Sequence, residues 1–269
     1  MLTTFFILAA ILYLACAFLP SGRRILISTA TGLAWLLHGG ALWADMIAPG
    51  AVRLGFAVML SATLWISVAA YWLENRNFPL DGLRVLMLPS AAVAVVLPAL
   101  FPGSVVPLNS GSSLFPWHIA VSILAYSTLT VAAFHAILMA LQESRLHASP
   151  GASHGGWLTN AVDKLPAVLT MEKLLFRLIG FGFFLLTLTV LSGVVFSEQL
   201  FGTPFEWNHK IVFTMLSWVL FGMLLAGRAW RGWRGKVALR ITLTGFATLL
   251  LAYVGSRFVL EVVLHRGFA

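Results

Sequence analysis

Seven histidines stand in a chain of 269 residues that carries only 17 Lys+Arg and 9 Asp+Glu. An imidazole can ligate a metal, carry a proton or bridge two helices through hydrogen bonds. Position along the chain sorts the seven. His147 and His154 fall in and beside the turn-rich stretch from Ala148 to Gly156 and read as solvated loop residues. His135 lies toward one end of a long apolar run, where a hydrogen bond to a neighbouring helix is the expected role. The other four sit near segment ends and share a side once the segments are oriented. They are His38, His118 after Phe115-Pro116-Trp117, His209 in Glu206-Trp207-Asn208-His209-Lys210, and His265 after Val263-Leu264.

Imidazoles on separate segments with aromatics beside them suit few ligands. Zinc asks for three or four closely packed N, S or O donors, and neither His118 nor His265 has an acidic partner nearby. Haem iron asks for one or two axial imidazoles, a flat apolar slot and cations for its propionates. Trp43, Trp117 and Trp207 would serve as walls, with Arg53, Lys210, Arg257 and Arg266 as cations. The competing reading is plainer: interfacial histidines as polar caps, and tryptophans as the aromatic belt of any membrane protein. The residues alone leave both open. Other chemistry lacks its signature. The chain has no HExxH, Walker A loop or dinucleotide-binding glycine pattern. It has one cysteine, Cys16, and so no CxxC pair and no disulfide framework. Its carboxylates fall in loops or near segment ends, with Glu261 close to the end of the last segment. No buried mid-membrane carboxylate is expected, which weighs against an ion-coupled transporter.

The elements that must position these residues follow from composition. The chain is 60% hydrophobic and 10% charged, with a mean hydropathy of +0.94. A soluble domain carries about 25% charged residues, so this chain cannot clothe a water-facing surface. Eight apolar runs are long enough to be read as spans: Thr3–Leu19, Ile25–Ile47, Val52–Trp72, Leu83–Phe101, Trp117–Leu141, Leu174–Phe196, Ile211–Trp230 and Leu239–Leu264. The first is read as a retained helix, since its basic pair Arg23-Arg24 follows the apolar run. The fourth holds Pro89 and Pro98 and is expected to be kinked or partly re-entrant. Thirteen basic residues fall on one side of this arrangement and four on the other. Positive charge marks the cytoplasmic side, which puts both termini outside it. The expected fold is therefore all-α: a single polytopic bundle over 1–269, with about eight transmembrane helices, periplasmic termini and a cytoplasmic linker over 142–173. The net charge of +8 is then a topology signal, and no nucleic-acid partner is expected.

The ordered motifs then become recognisable. Trp117 to Leu129 resembles the W-x-H-V-x-M-x-x-x-S-Y-A-x-L segment of the cytochrome c assembly family, which includes CcsA/ResC-type haem-handling proteins and the HemX- and YpjD-type inner-membrane proteins. Glu172 to Thr187 with Leu191-Ser192-Gly193 is similar to the next segment, and Gly232-Trp233-Arg234-Gly235-Lys236 to the family's G-W-x-G-K/R turn. Tyr253 to His265 is similar to the closing helix. Together these cover about 114–266, and the YpjD/HemX-like branch fits best. In the N-terminal third only Leu36-Leu37-His38 and its following tryptophan agree.

The resemblance implies haem b, held without a covalent bond at the outer face. His118 is then the first ligand, His265 the second and His38 a membrane histidine. Trp117, Trp207, His209 and Arg257 fall around the site. Two departures stand out. Where the family has its Trp-Asp loop this chain has Trp207-Asn208-His209-Lys210, and Gly227 stands where a second membrane histidine would precede Arg228. The expected role is thus haem binding in c-type cytochrome biogenesis or related haem handling, with other assembly or membrane proteins as partners, rather than an enzymatic synthase. Two alternatives remain: a metal-ion transporter, or its accessory subunit, keeping the fold without haem, and a helical scaffold.

Overall fold

The computed structural model describes residues 2–20, 22–76, 80–107, 114–146, 162, 165–197 and 207–264. Among these residues eight long helices follow one another. They are α1 (Leu2–Phe18), α2 (Arg24–Met46), α3 (Phe56–Glu74), α4 (Asp81–Leu100), α5 (Leu114–Leu146), α6 (Val168–Val195), α7 (His209–Arg231) and α8 (Gly235–Leu250). Two π-helical stretches, Leu251–Gly255 and Val259–Val263, flank Ser256–Phe258 and carry α8 on without a break. Seven of the helices are long and apolar enough to cross a membrane; α1, with 17 residues, is shorter. Hydrocarbon offers a backbone no partner for its N–H and C=O groups, so a spanning segment has to bond internally as a helix does. The molecule is a polytopic helical membrane protein.

The outer surface agrees with that environment. On α7, Val212, Leu216, Val219 and Met223 are all exposed and fall on one helical face. On α6 the same holds for Phe181, Phe184, Leu188, Leu191 and Val195. Apolar rows of this length would aggregate in water and are at rest against acyl chains. Inside, α5 is the hub. It packs most extensively on α6 and also meets α3, α4 and α8. Its buried Ala125, Ala132, Ala133 and Ala136 let neighbours come close, as membrane helix interfaces require. On α6, Gly182 answers them, since a Cβ there would lie 2.7 Å from Leu129.

Polar side chains stitch the helices where lipid supplies no hydrophobic drive. Ser127 donates to the Thr63 carbonyl (3.0 Å) and Ser67 to the Ser127 carbonyl (3.2 Å), joining α3 to α5. Ser217 of α7 donates to the Gly245 carbonyl of α8 (2.8 Å). Between α2 and α3, Trp35 and Trp65 stack with centroids 4.8 Å apart. Each indole N–H donates to the other's carbonyl at 3.0 Å. Gly39 makes room for that stack.

Three expectations need correction. The fold is not purely α-helical: β1 (Ile47–Ala48), β2 (Ala51–Leu54) and β3 (Ser104–Pro107) form an antiparallel sheet, in the order β1-β2-β3. Residues 52–54, read as the start of the third span, are its middle strand, and α3 begins only at Phe56. Pro49-Gly50 makes the turn, with Gly50 at φ 69°, and β-branched Val52, Val105 and Val106 suit a strand. The proline-bearing α4, expected to be kinked or partly re-entrant, is one continuous 20-residue helix. Ser90, beside Pro89, donates its hydroxyl to the Leu86 carbonyl at 2.8 Å. Carboxylates are also buried. Glu172 is only 6% exposed and meets Arg228 at 2.6 Å, an ion pair joining α6 to α7. The sequence shows the charge but not the partner that makes its burial tolerable.

Candidate functional site

The loops α2–α3 and α4–α5 meet in the sheet, at the end of the bundle where α5 begins. Behind the sheet, Val52, Leu54 and Met59 pack with Met46, Val106, Phe115, Ile119, Ile123 and Tyr253. The strands therefore bind the first turns of α5 to the far part of α8. His118 lies in that first part of α5, half-buried, with Trp117 beside it 71% exposed.

His118 is held from α6. Its Nδ1 lies 2.7 Å from Ser192 Oγ, and the Ser192 hydroxyl donates to the Thr189 carbonyl at 3.1 Å. A hydroxyl has one proton; in the tautomer that places it on Thr189, the oxygen accepts from His118 Nδ1–H and the ring lone pair belongs to Nε2. A hydrogen-bond partner that holds the ring plane is the usual companion of a metal-ligating imidazole. Gly193 lies against the ring, since a Cβ there would stand in ordinary contact, 3.5 Å from His118 Cε1. In the sequence, Ser192-Gly193 is part of a matched segment with no role attached. The 74 residues between it and His118 hide the pairing.

A charged cluster lies near by. Glu261 accepts from the Phe56 N–H at 3.3 Å and so sits on the N-terminus of α3, where a helix dipole favours an anion. Lys210 and Arg257 both act electrostatically on Glu261, and Arg257 is only 7% exposed. Arg53, by contrast, is taken up by Asp45 at 2.7 Å. Phe56 packs on Phe101 (5.2 Å) and on Phe258 (5.3 Å, edge-on), which fixes the floor of the cluster.

The predicted residues are only partly brought together. His118, Trp117, Lys210 and Arg257 belong to this end. Trp207 (71% exposed) and His209 (exposed) flank Asn208, whose side chain accepts from the Ile211 N–H at 3.1 Å and caps α7. His265 and Arg266 lie outside the described residues, as do His147, His154 and residues 147–161 of the linker.

His38 is elsewhere in character. It is fully buried among α1, α2 and α3, with Nδ1 at 3.3 Å from the Tyr13 hydroxyl and Nε2 at 2.9 Å from Ser61 Oγ. Both ring nitrogens have protein partners, so His38 does not fit a haem iron in this arrangement. The place where the resemblance expects a second membrane histidine is closed as well. At Gly227 any Cβ would overlap the Trp233 indole, and after Gly232 (φ 67°) the Trp233 backbone N–H donates to the Gly227 carbonyl at 3.2 Å. The residues present fit a haem at the His118 end and not one within the bundle.

Helices long and apolar enough to cross a bilayer, closed at one end by a small sheet beside His118 and the Lys210–Arg257–Glu261 cluster, define a polytopic helical membrane protein. Comparison with known proteins places it further. The cytochrome c assembly protein family matches residues 51–264. The chain is 27% identical to the cytochrome c biogenesis protein CcsA of Prochlorococcus marinus, over 72% of this chain and 68% of that one. It is 30% identical to the inner membrane protein YpjD of Escherichia coli, over 54% of this chain and about half (52%) of the relative's length. It is also 30% identical to a 28.8 kDa protein of Azospirillum brasilense, over 84% of this chain and 82% of that one. The chain belongs to the cytochrome c assembly protein family and is YpjD-like.

Proposed function

We propose that this protein binds haem b at the outer face of a bacterial inner membrane and serves c-type cytochrome biogenesis or a related haem-handling step. The observation that carries the reading is His118, whose Nδ1 is held by Ser192 Oγ at 2.7 Å; we assign its Nε2 as the ligating atom. Trp117 and Trp207 supply flat apolar walls, and Lys210 with Arg257 supplies charge for a propionate. His265, next in sequence after the last described residue, is the second ligand. Bound here, haem would supply an iron that takes imidazole nitrogen, and the role we assign is binding rather than catalysis. All eight helices span, both termini face the periplasm, and the partners are haem and other assembly proteins. The relatives support the setting, through the names cytochrome c biogenesis protein and inner membrane protein.

The second reading, a transporter or its accessory subunit that keeps the fold without haem, draws on Trp233 at Gly227 and on the closed ring of His38. Purification of the full chain from haem-replete cells, followed by a pyridine haemochrome spectrum, separates the two. The expected result is a b-type spectrum that His118→Ala together with His265→Ala removes. A colourless wild-type protein that moves metal ions in reconstituted vesicles would overturn the haem reading.

A further inference from the structure

At the other end of α5 lies a pair of buried groups that haem handling does not use. His135 is 17 residues beyond His118, about 25 Å along the helix at 1.5 Å per residue. Its side chain is wholly buried, and its Nδ1 stands 3.0 Å from the Val131 carbonyl of the preceding turn. A carbonyl only accepts, so Nδ1 carries a proton and donates. Nε2 then faces Glu74 Oε2 of α3 at 3.6 Å. Neither atom has a hydrogen-bond partner, and both are shut off from solvent.

Once Nδ1–H is fixed, the pair can hold none, one or two further protons. With none, an imidazole lone pair faces a carboxylate oxygen at 3.6 Å, and no donor lies between the two buried atoms. With two, an imidazolium faces a carboxylic acid and a net charge is buried. With one further proton, the pair is either an imidazolium against a carboxylate or a carboxylic acid pointing at a lone pair. Both forms are neutral overall and attractive. We propose that Glu74 and His135 form a proton-binding site between α3 and α5, at the end of the bundle away from His118, that holds one proton between the two side chains.

The surroundings are compatible. From α6, Arg177 acts on Glu74, and Glu172 is already paired with Arg228 of α7. From α4, Arg84 donates to the Leu19 carbonyl. From α2, Asp45 is held by Arg53 at the other end of α3. On α8, Arg240 is exposed, while Arg257 and Glu261 belong to the His118 end. Glu74 keeps 20% of its side chain exposed while His135 keeps none, so the proton exchanges with water through Glu74. The site is thus a carboxylate that meets solvent backed by an imidazole that does not.

Nitrogen-15 NMR of histidine-labelled full-length protein in lipid nanodiscs at pH 7.5 reads this directly, with the His135 signals assigned by their loss in His135→Asn. In the wild type, Nε2 is expected to be protonated or to accept a strong hydrogen bond. In Glu74→Ala the signal should move to that of a bare Nε2, and in Glu74→Gln, whose amide can donate, it should move part of the way back. A bare Nε2 in the wild type overturns the proposal whether or not the variants fold. So does a His135 signal that Glu74→Ala leaves in place. Haem content is read separately from the same samples, so the two proposals fail independently.

Discussion

Single residues here are explained by the space or proton they leave to another. Gly227 is the clearest case: it stands where a related chain carries a ligand, and the Trp233 indole occupies the volume a side chain would need. Gly227→Ala should therefore lower stability by about 1–3 kcal/mol, the usual range for overpacking. A lower melting temperature in detergent, with unchanged helical content, is the readout. In the double variant with Trp233→Ala the two losses should fall short of additive, because the smaller side chain at 233 removes the clash. Additive losses would show that the indole is not what excludes a side chain at 227. Of the site, the sequence displayed His118 but not the hydroxyl that orients it. Ser192 is on another helix, and no spacing rule connects residues that meet only after both helices have packed. His38 was visible too, but not its partners: Tyr13 and Ser61, far from it in the chain, meet its two ring nitrogens and tie three helices together.

Helices were legible because apolar runs of about 20 residues have one outcome in lipid. Strands were not, because two to four residues between spans carry no periodicity that a window can detect. Val52 and Leu54 look like the continuation of an apolar run, and only Pro49-Gly50 hints at the turn before them. The charged pair Asp45–Arg53 spans that turn, an arrangement readable in hindsight from its flanking positions. The sheet depends on Gly103, which sits at φ 71° with the Leu54 carbonyl against its Cα. Gly103→Ala asks an L-residue to adopt that conformation at about 1–2 kcal/mol and adds a clash with the strand. The expected outcome is a loosened β2–β3 pairing, seen as faster amide exchange over 51–54 and 104–107. Exchange that is unchanged there would mean that the strands tolerate a Cβ and that the glycine is incidental.

At the scale of the molecule, the two ends of the bundle differ in kind, and the basic residues propose which of them faces the cytoplasm. One carries the sheet, His118 and the Glu261 cluster; the other carries Glu172–Arg228, Lys236–Glu143 and the Glu74–His135 pair. Labelling decides which end faces out. With the buried Cys16 replaced by serine, a cysteine at Asn208 should react with a membrane-impermeant thiol reagent in intact spheroplasts. One at Arg234 should react only after permeabilisation. The reverse pattern would turn the protein over and move the proposed haem face to the cytoplasm.

The clasp between Trp35 and Trp65 has a kinetic side. In water, a bond between two side chains can be surrendered one partner at a time, because solvent steps in as each donor lets go. No such substitute waits in hydrocarbon. Each bond given up there leaves a bare donor and carbonyl in hydrocarbon, so the clasp resists sliding of α2 along α3 more than the same contacts would in water. Any sliding within the N-terminal half is left to the seams on either side of them.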